Sequence, residues 1–349
     1  MPTLFDPLRV GEIELDNRIV MAPMTRSRAN DEGVQPSYAA QYYGQRAAAG
    51  LIVTEATNVS PMAKGYVRTP GIYTSEQIES WRNVTQAVHA RGGKIFMQLF
   101  HTGRIALPDF LPGNTQPVAP SAVRAKGSNY TDDGMKEFVT PREITKEEIA
   151  QTVADFRNAA ANVITAGFDG VELHSASGYL VQQFLTTNVN LRTDEYGGPI
   201  ENRTRFLFEC LDAMATAVGS QRVGVKFSPR IAFNDIEEND AEEVYPYIVE
   251  RLGDRRLAYM HVSDVAGAGW HAKLRGRYNG VYFANGGFTR ESAAELLAQG
   301  GADAIVFGTK FLANPDLPER FRRDAQLNQP DRATFYSPGE RGYIDYPTL

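Results

Sequence analysis

Gly170-Val171-Glu172-Leu173-His174-Ser175-Ala176-Ser177-Gly178-Tyr179 begins as a short apolar strand and ends in side chains that carry chemistry. An imidazole, a hydroxyl and a phenol gather at the C-terminal end of one strand, with the Gln182 amide just beyond. In a parallel β/α protein that end holds ligands, because its loops vary while the strands stay rigid. His174 and Tyr179 share a pocket only if the chain turns sharply between them, and Gly178 permits such a turn.

Similar β-rich runs recur along the chain, and eight are counted: 18–22, 51–56, 94–100, 170–174, 223–228, 259–264, 280–285 and 304–308. Apolar residues at helical spacing fill 75–91, 146–166, 201–218, 241–252 and 289–299, and several of these segments follow a Thr, Ser or Asp cap. Thr145, with Glu147 and Glu148 in the first turn, marks one such start. Eight strand–helix units close a barrel, so the fold class read here is α/β, a single (β/α)8 TIM barrel spanning 1–349. A doubly wound sheet would be expected to carry a glycine-rich dinucleotide turn, and no G-x-G-x-x-G is present; Gly267-Ala268-Gly269 lacks the third glycine. The connection 101–142, rich in Pro, Gly, Ser and Asn, is too long for an ordinary barrel loop and reads as an excursion capping the pocket mouth.

Composition narrows the function classes. A net charge of −6 argues against nucleic acid or an anionic membrane surface as partner and leaves a small molecule as the expected ligand. Cys210 is the sole cysteine, which excludes an internal disulfide framework and an iron–sulfur cluster and fits a reducing cytoplasm. The first ten residues hold no cationic segment followed by an apolar run, and nowhere do 18 apolar residues run together, so a soluble, unexported protein is expected. His89, His101, His174, His261 and His271 show no metal spacing, and there is no G-x-S-x-G elbow.

Gly286 and Gly287 follow the seventh run, and Gly308 and Thr309 follow the eighth. In barrels these two loops often bind phosphate through backbone N–H groups, and Lys310 would add charge; the alternative is that they are only tight turns. Thr25, after the rigid turn at Pro23, places a hydroxyl at the barrel mouth, though a lone threonine is commonly a turn residue. Gln98 ends the third run with an amide that both donates and accepts, which suits a planar heterocycle. Lys226 puts a charge inside an apolar strand, and two readings stand: an anion lies above it, or a structural carboxylate pairs with it.

With these residues placed, almost the whole chain resembles the old yellow enzyme family of flavin-dependent ene-reductases. The motifs are Asn17-Arg18-Ile19-Val20-Met21-Ala22-Pro23-Met24-Thr25-Arg26, Gln98-Leu99-x-His101-Thr102-Gly103-Arg104, Gly167-Phe168-Asp169-Gly170-Val171-Glu172-Leu173-His174 and Arg192-Thr193-Asp194-x-Tyr196-Gly197-Gly198. The resemblance implies non-covalent FMN, NADPH or NADH as reductant entering the same site as the substrate, and an activated C=C bond of an α,β-unsaturated carbonyl or nitro compound as acceptor. It implies that Thr25 contacts the flavin carbonyl, that Pro23, Met24, Ala56 and Gln98 shape the ring pocket, and that Lys226 lies beside the ring's N1 and O2 edge. It further implies that His174 holds the substrate oxygen, that Tyr179 protonates the α-carbon, and that Tyr66 and Tyr336 line the substrate cavity.

The sequence departs from the family pattern at four positions. Ser177 stands where His or Asn is usual, Lys226 where Arg is common, Thr309 at an often basic place, and Phe100 for a frequent Trp. Ser177 shortens one donor beside the oxygen, and Phe100 widens the cavity. The expected activity is that of an NAD(P)H dehydrogenase or ene-reductase, monomeric or homodimeric. The alternatives are a flavin enzyme that isomerises or reduces a specialised metabolite, with Ser177 as the clue, and a low-turnover flavin-binding redox sensor.

Overall fold

Strands β1 (Ile19–Met21), β2 (Leu51–Val53), β3 (Ile95–Phe100), β4 (Gly170–Ser175), β5 (Val223–Phe227), β6 (Tyr259–Ser263), β7 (Tyr282–Asn285) and β8 (Ala304–Phe307) all pair in parallel. The ring closes where β8 pairs with β1, Phe307 opposite Met21. The computed structural model describes residues 1–265 and 267–349. Seven of the strands fall inside the expected runs, shorter than them, and β4 extends one residue past its run to Ser175.

The strands are apolar on both faces because helices cover the outside and side chains fill the inside. Alternate residues point inward: Val20, Leu51, Val53, Phe96, Tyr259, Phe283, Ala304 and Val306 form one interior cluster. Two glycines make room for its largest rings. A Cβ on Gly170 would sit 2.4 Å from the Phe96 ring, and one on Gly224 would sit 2.4 Å from the Tyr259 ring. An antiparallel hairpin, Leu8–Val10 with Ile13–Leu15, closes the N-terminal end by adding Val10 and Leu15 to this cluster.

Outside, Trp81, Phe156, Phe206 and Tyr245 belong to the larger core between helices and barrel. Helices Ser75–His89, Lys146–Thr165 and Arg290–Ala298 each start with a full capping box, built on Thr74, Thr145 and Thr289. The segment expected as one helix over 201–218 is two, Ile200–Arg203 and Arg205–Val218, breaking at Thr204. Among the described residues five short helices escaped the periodicity reading: Ala39–Gly44, Leu180–Leu185, Trp270–Arg275, Thr309–Ala313 and Leu317–Arg323. None spans more than two turns, too short for a 3.6-residue pattern to repeat.

Residues 101–142 leave the barrel after β3. They form two 3₁₀ turns, Pro108–Phe110 and Pro112–Asn114, and a hairpin, Ser128–Thr131 with Gly134–Glu137. Ile105, Leu107, Ala125 and Phe138 give this excursion its own small core. Among the described residues no helix is long and apolar enough to cross a membrane.

Candidate active site

The turn after β4 is left-handed at two consecutive residues, Ser177 at φ 56° and Gly178 at φ 75°. Gly178 is required there twice over: its φ favours glycine, and a Cβ would lie 2.7 Å from the Asn234 Cβ. Asn234 Nδ2 donates to the Ser177 carbonyl at 2.7 Å, and the Ser177 N–H donates to Ser228 Oγ at 2.8 Å. This pinned turn throws Tyr179 back over the strand end. Its ring meets His174 edge-on at 5.0 Å and Phe100 edge-on at 5.4 Å, and its hydroxyl lies 2.9 Å from that of Tyr66. The turn thus brings the His174 and Tyr179 rings into contact at the strand end.

Below this cluster the barrel interior is polar. Gln98 Nε2 donates to Glu172 Oε1 at 2.6 Å, and His261 Nδ1 lies 3.0 Å from Glu172 Oε2, all three side chains buried. Strand register sets this up, pairing Gln98 with Glu172 and placing Lys226 between His174 and His261. Burial works against the Glu172 charge, but His261, Lys226 and Gln98 hold its carboxyl below the usual range. Burial pushes His261 down against the pull of Glu172, so the pair is a carboxylate beside a neutral imidazole. Burial, then the charge on Lys226, push His174 well below the ordinary histidine value, so it is neutral at pH 7. Its Nδ1 is buried and has no hydrogen-bond partner among the described residues.

The two readings of Lys226 resolve in this network. Burial lowers its pKa and Glu172 raises it through space, so a structural carboxylate is present. Both oxygens of that carboxylate are nevertheless engaged by Gln98 and His261. The ammonium keeps hydrogen-bonding capacity for an acceptor above it.

Around the rim, Pro23, Met24 and Thr25 are half-buried after β1, while Ala56 is buried after β2. Gly286, Gly287, Gly308 and Thr309 present backbone after β7 and β8; a Cβ on Gly287 would meet no atom within 4 Å. Lys310, expected to add charge there, instead donates to the Phe288 carbonyl at 2.9 Å and ties the two loops together. The barrel end therefore combines a free cation, an amide, a neutral imidazole with an unpartnered nitrogen, and bare backbone at an open edge. That donor set fits FMN: the polar side chains suit the carbonyl-bearing ring, and the glycine loops admit a phosphate.

A cavity of about 580 Å³ opens beside this floor, lined by Thr25, Tyr66, Tyr179, Tyr130, Phe233 and Tyr336 among others. Tyr336 is 62% exposed, at the outer edge. The chain holding it is strapped down by two buried arginines. Arg28 donates to the carbonyls of Thr334, Phe335, Gly339 and Arg341, and Arg26 to those of Phe335 and Gly342. Sequence reading singled out neither arginine for a role, nor Glu172, His261 and Asn234. Inward alternation in β6 from Tyr259 to His261 was the one signal that could have found a member of this set.

The profile of the NADH:flavin oxidoreductase / NADH oxidase family matches residues 3–328. A probable flavin mononucleotide-dependent alkene reductase of Leishmania infantum is 45% identical, covering 99% of this chain and 97% of its own. The 12-oxophytodienoate reductase 1 of Oryza sativa subsp. japonica is 43% identical, covering 99% and 93%. Morphinone reductase solved with tetrahydroNAD superposes with a TM-score of 0.96 at 45% identity, covering 100% of this chain and 98% of that one. The old yellow enzyme homologue from Zymomonas mobilis gives 0.96 at 39% identity over the whole of both chains. The chain belongs to the NADH:flavin oxidoreductase / NADH oxidase family. It is an FMN-dependent oxidoreductase on an old yellow enzyme barrel.

Proposed function

We infer that the protein is an NAD(P)H-dependent ene-reductase acting on activated C=C bonds of α,β-unsaturated carbonyl or nitro compounds. Bound FMN would supply the hydride chemistry that links NADPH or NADH to the β-carbon of the alkene. Pro23, Met24, Thr25, Ala56, Gln98 and Lys226 would surround its ring, and backbone N–H groups at Gly286, Gly287, Gly308 and Thr309 would take its phosphate. His174 donates an N–H to the substrate oxygen and stabilises the charge that grows there as the alkene is reduced, an oxyanion-hole role. Its neutral state suits this, since it polarises without exchanging its own proton. Tyr179 then gives its phenolic proton to the α-carbon. Phe100, Tyr66 and Tyr336 shape the substrate cavity, with Ser177 beside the oxygen.

The observation carrying this reading is the pairing of His174, whose Nδ1 lacks a partner, with Tyr179 at 5.0 Å. The whole chain acts as one domain, its 101–142 excursion capping the cavity, in a cytoplasmic enzyme that is monomeric or homodimeric.

A second reading is favoured by Ser177. Its backbone is pinned by Asn234, so the short side chain cannot move in to replace a longer donor. The acceptor would then be a bulkier, specialised alkene. One experiment tests both: anaerobic mixing with NADPH, then with 2-cyclohexenone, followed by the flavin absorbance. Bleaching and recovery support the first reading, and bleaching without recovery supports the second. No flavin bound after FMN is supplied refutes both.

A further inference from the structure

Tyr179 has a partner to which the reading above gives only a lining role. Its hydroxyl oxygen is 2.9 Å from that of Tyr66, and the rings meet at 84°. His174 and Phe100 hold the Tyr179 ring on its other sides. Both tyrosines also pack against Ile105, Leu107 and Phe138 of the excursion. A phenol gripped in this way keeps its hydroxyl on Tyr66, the side-chain hydroxyl nearest to it when it must recover a proton after each turnover. Half-buried at the cavity wall, the phenolate left behind costs free energy until it is reprotonated. Tyr66 lines the cavity as well, and a hydroxyl can rotate between accepting and donating.

We propose that Tyr66 is a positioning and relay residue for the acid step, returning a proton from cavity water to Tyr179. The inference rests on Tyr179 being the acid. A C–H bond forms at the α-carbon from the electron pair of the reduced substrate. The Tyr179 O–H breaks and leaves its pair on oxygen. The Tyr66 O–H breaks as a new Tyr179 O–H forms, and water reprotonates Tyr66, the resulting hydroxide being neutralised by bulk solvent. No electrons change owner in these proton moves.

A pH dependence follows. Burial raises both phenols, but the bond from Tyr179 pulls Tyr66 back down while Tyr179 is pushed well above the ordinary range. The first proton lost from the pair therefore leaves Tyr66. Once Tyr66 is ionised it has no O–H to give, so alkene reduction falls as pH rises through that point.

The test is Tyr66→Phe beside Tyr179→Phe, each loaded with FMN, with reduction by NADPH followed in a single turnover and reduction of 2-cyclohexenone followed over many turnovers, where Tyr179 must recover its proton each time. Tyr66→Phe is expected to bind FMN and accept hydride from NADPH as the parent does. Its steady-state reduction of the enone should be slower by roughly 10-fold or more, and the alkaline limb should vanish from the profile. An unchanged rate and limb in Tyr66→Phe, with Tyr179→Phe impaired, overturns the relay alone. If Tyr179→Phe is also unimpaired, the acid assignment falls and the relay with it. Equal losses in FMN binding and NADPH reduction mark Tyr66 as structural and also overturn the relay. A difference titration gives a second readout: the tyrosinate absorbance that Tyr66→Phe loses relative to the parent, one of 16 tyrosines, should rise with the midpoint of the parent's alkaline limb, and a difference with another midpoint refutes the proposal.

Discussion

Acid should destabilise this protein through His101 by an amount that its burial sets. His101 directly follows β3, is 2% exposed, and accepts the Gly103 N–H on Nδ1 at 3.1 Å. Its carbonyl accepts the N–H of Leu180, so it anchors both the excursion and the helix after Tyr179. Burial lowers its pKa from 6.5 to about 3. Above pH 6.5 neither the folded nor the unfolded state holds the proton, and the group is silent. As pH falls from 6.5 toward 3 only the unfolded chain takes the proton, so folding loses about 1.4 kcal/mol per pH unit. Between about pH 7.5 and about pH 5 the loss comes to ~2 kcal/mol.

His101→Asn isolates this contribution, since the Asn oxygen replaces Nδ1 as acceptor without titrating. The substitution costs packing at both pH values, and that cost cancels in the comparison. Urea unfolding at fixed FMN concentration, followed by the fluorescence of buried Trp81 and Trp270, gives both free energies. The gap between parent and variant should close by ~2 kcal/mol at the lower pH. A gap of the same size at both values would refute the account.

Two further changes probe the barrel. Lys226→Met removes the cation left free above Glu172, and a charged hydrogen bond of about 1.5–3 kcal/mol predicts FMN dissociation constants raised roughly 10- to 100-fold. Flavin fluorescence titration of the cofactor-free protein reads this, and an unchanged constant would place FMN away from Lys226. Gly224→Ala drives a Cβ to 2.4 Å from the Tyr259 ring, so overpacking should cost about 1–3 kcal/mol in urea unfolding. Adding Tyr259→Leu should recover part of the loss, and no recovery would show that the clash lies elsewhere.

What the sequence alone determined rests on short-range physics. Strand runs and long helices were legible because side-chain period and caps act within a few residues, as the capping boxes of Thr74, Thr145 and Thr289 show. His174, Gly178 and Tyr179 were legible as a unit because one turn joins them. Helices of four to seven residues were not, because so short a segment is held by its neighbours rather than by its own pattern.

Only the tertiary structure decided how the site works. The Gln98–Glu172 bond spans 74 residues and the Tyr66–Tyr179 bond 113, and neither leaves a periodic trace along the chain. The strap that carries Tyr336 is held by Arg28 from 311 residues away at Gly339. The free ammonium of Lys226 and the neutrality of His174 depend on barrel register and on exclusion of water. Both are properties of strands brought together, so no stretch of sequence contains them.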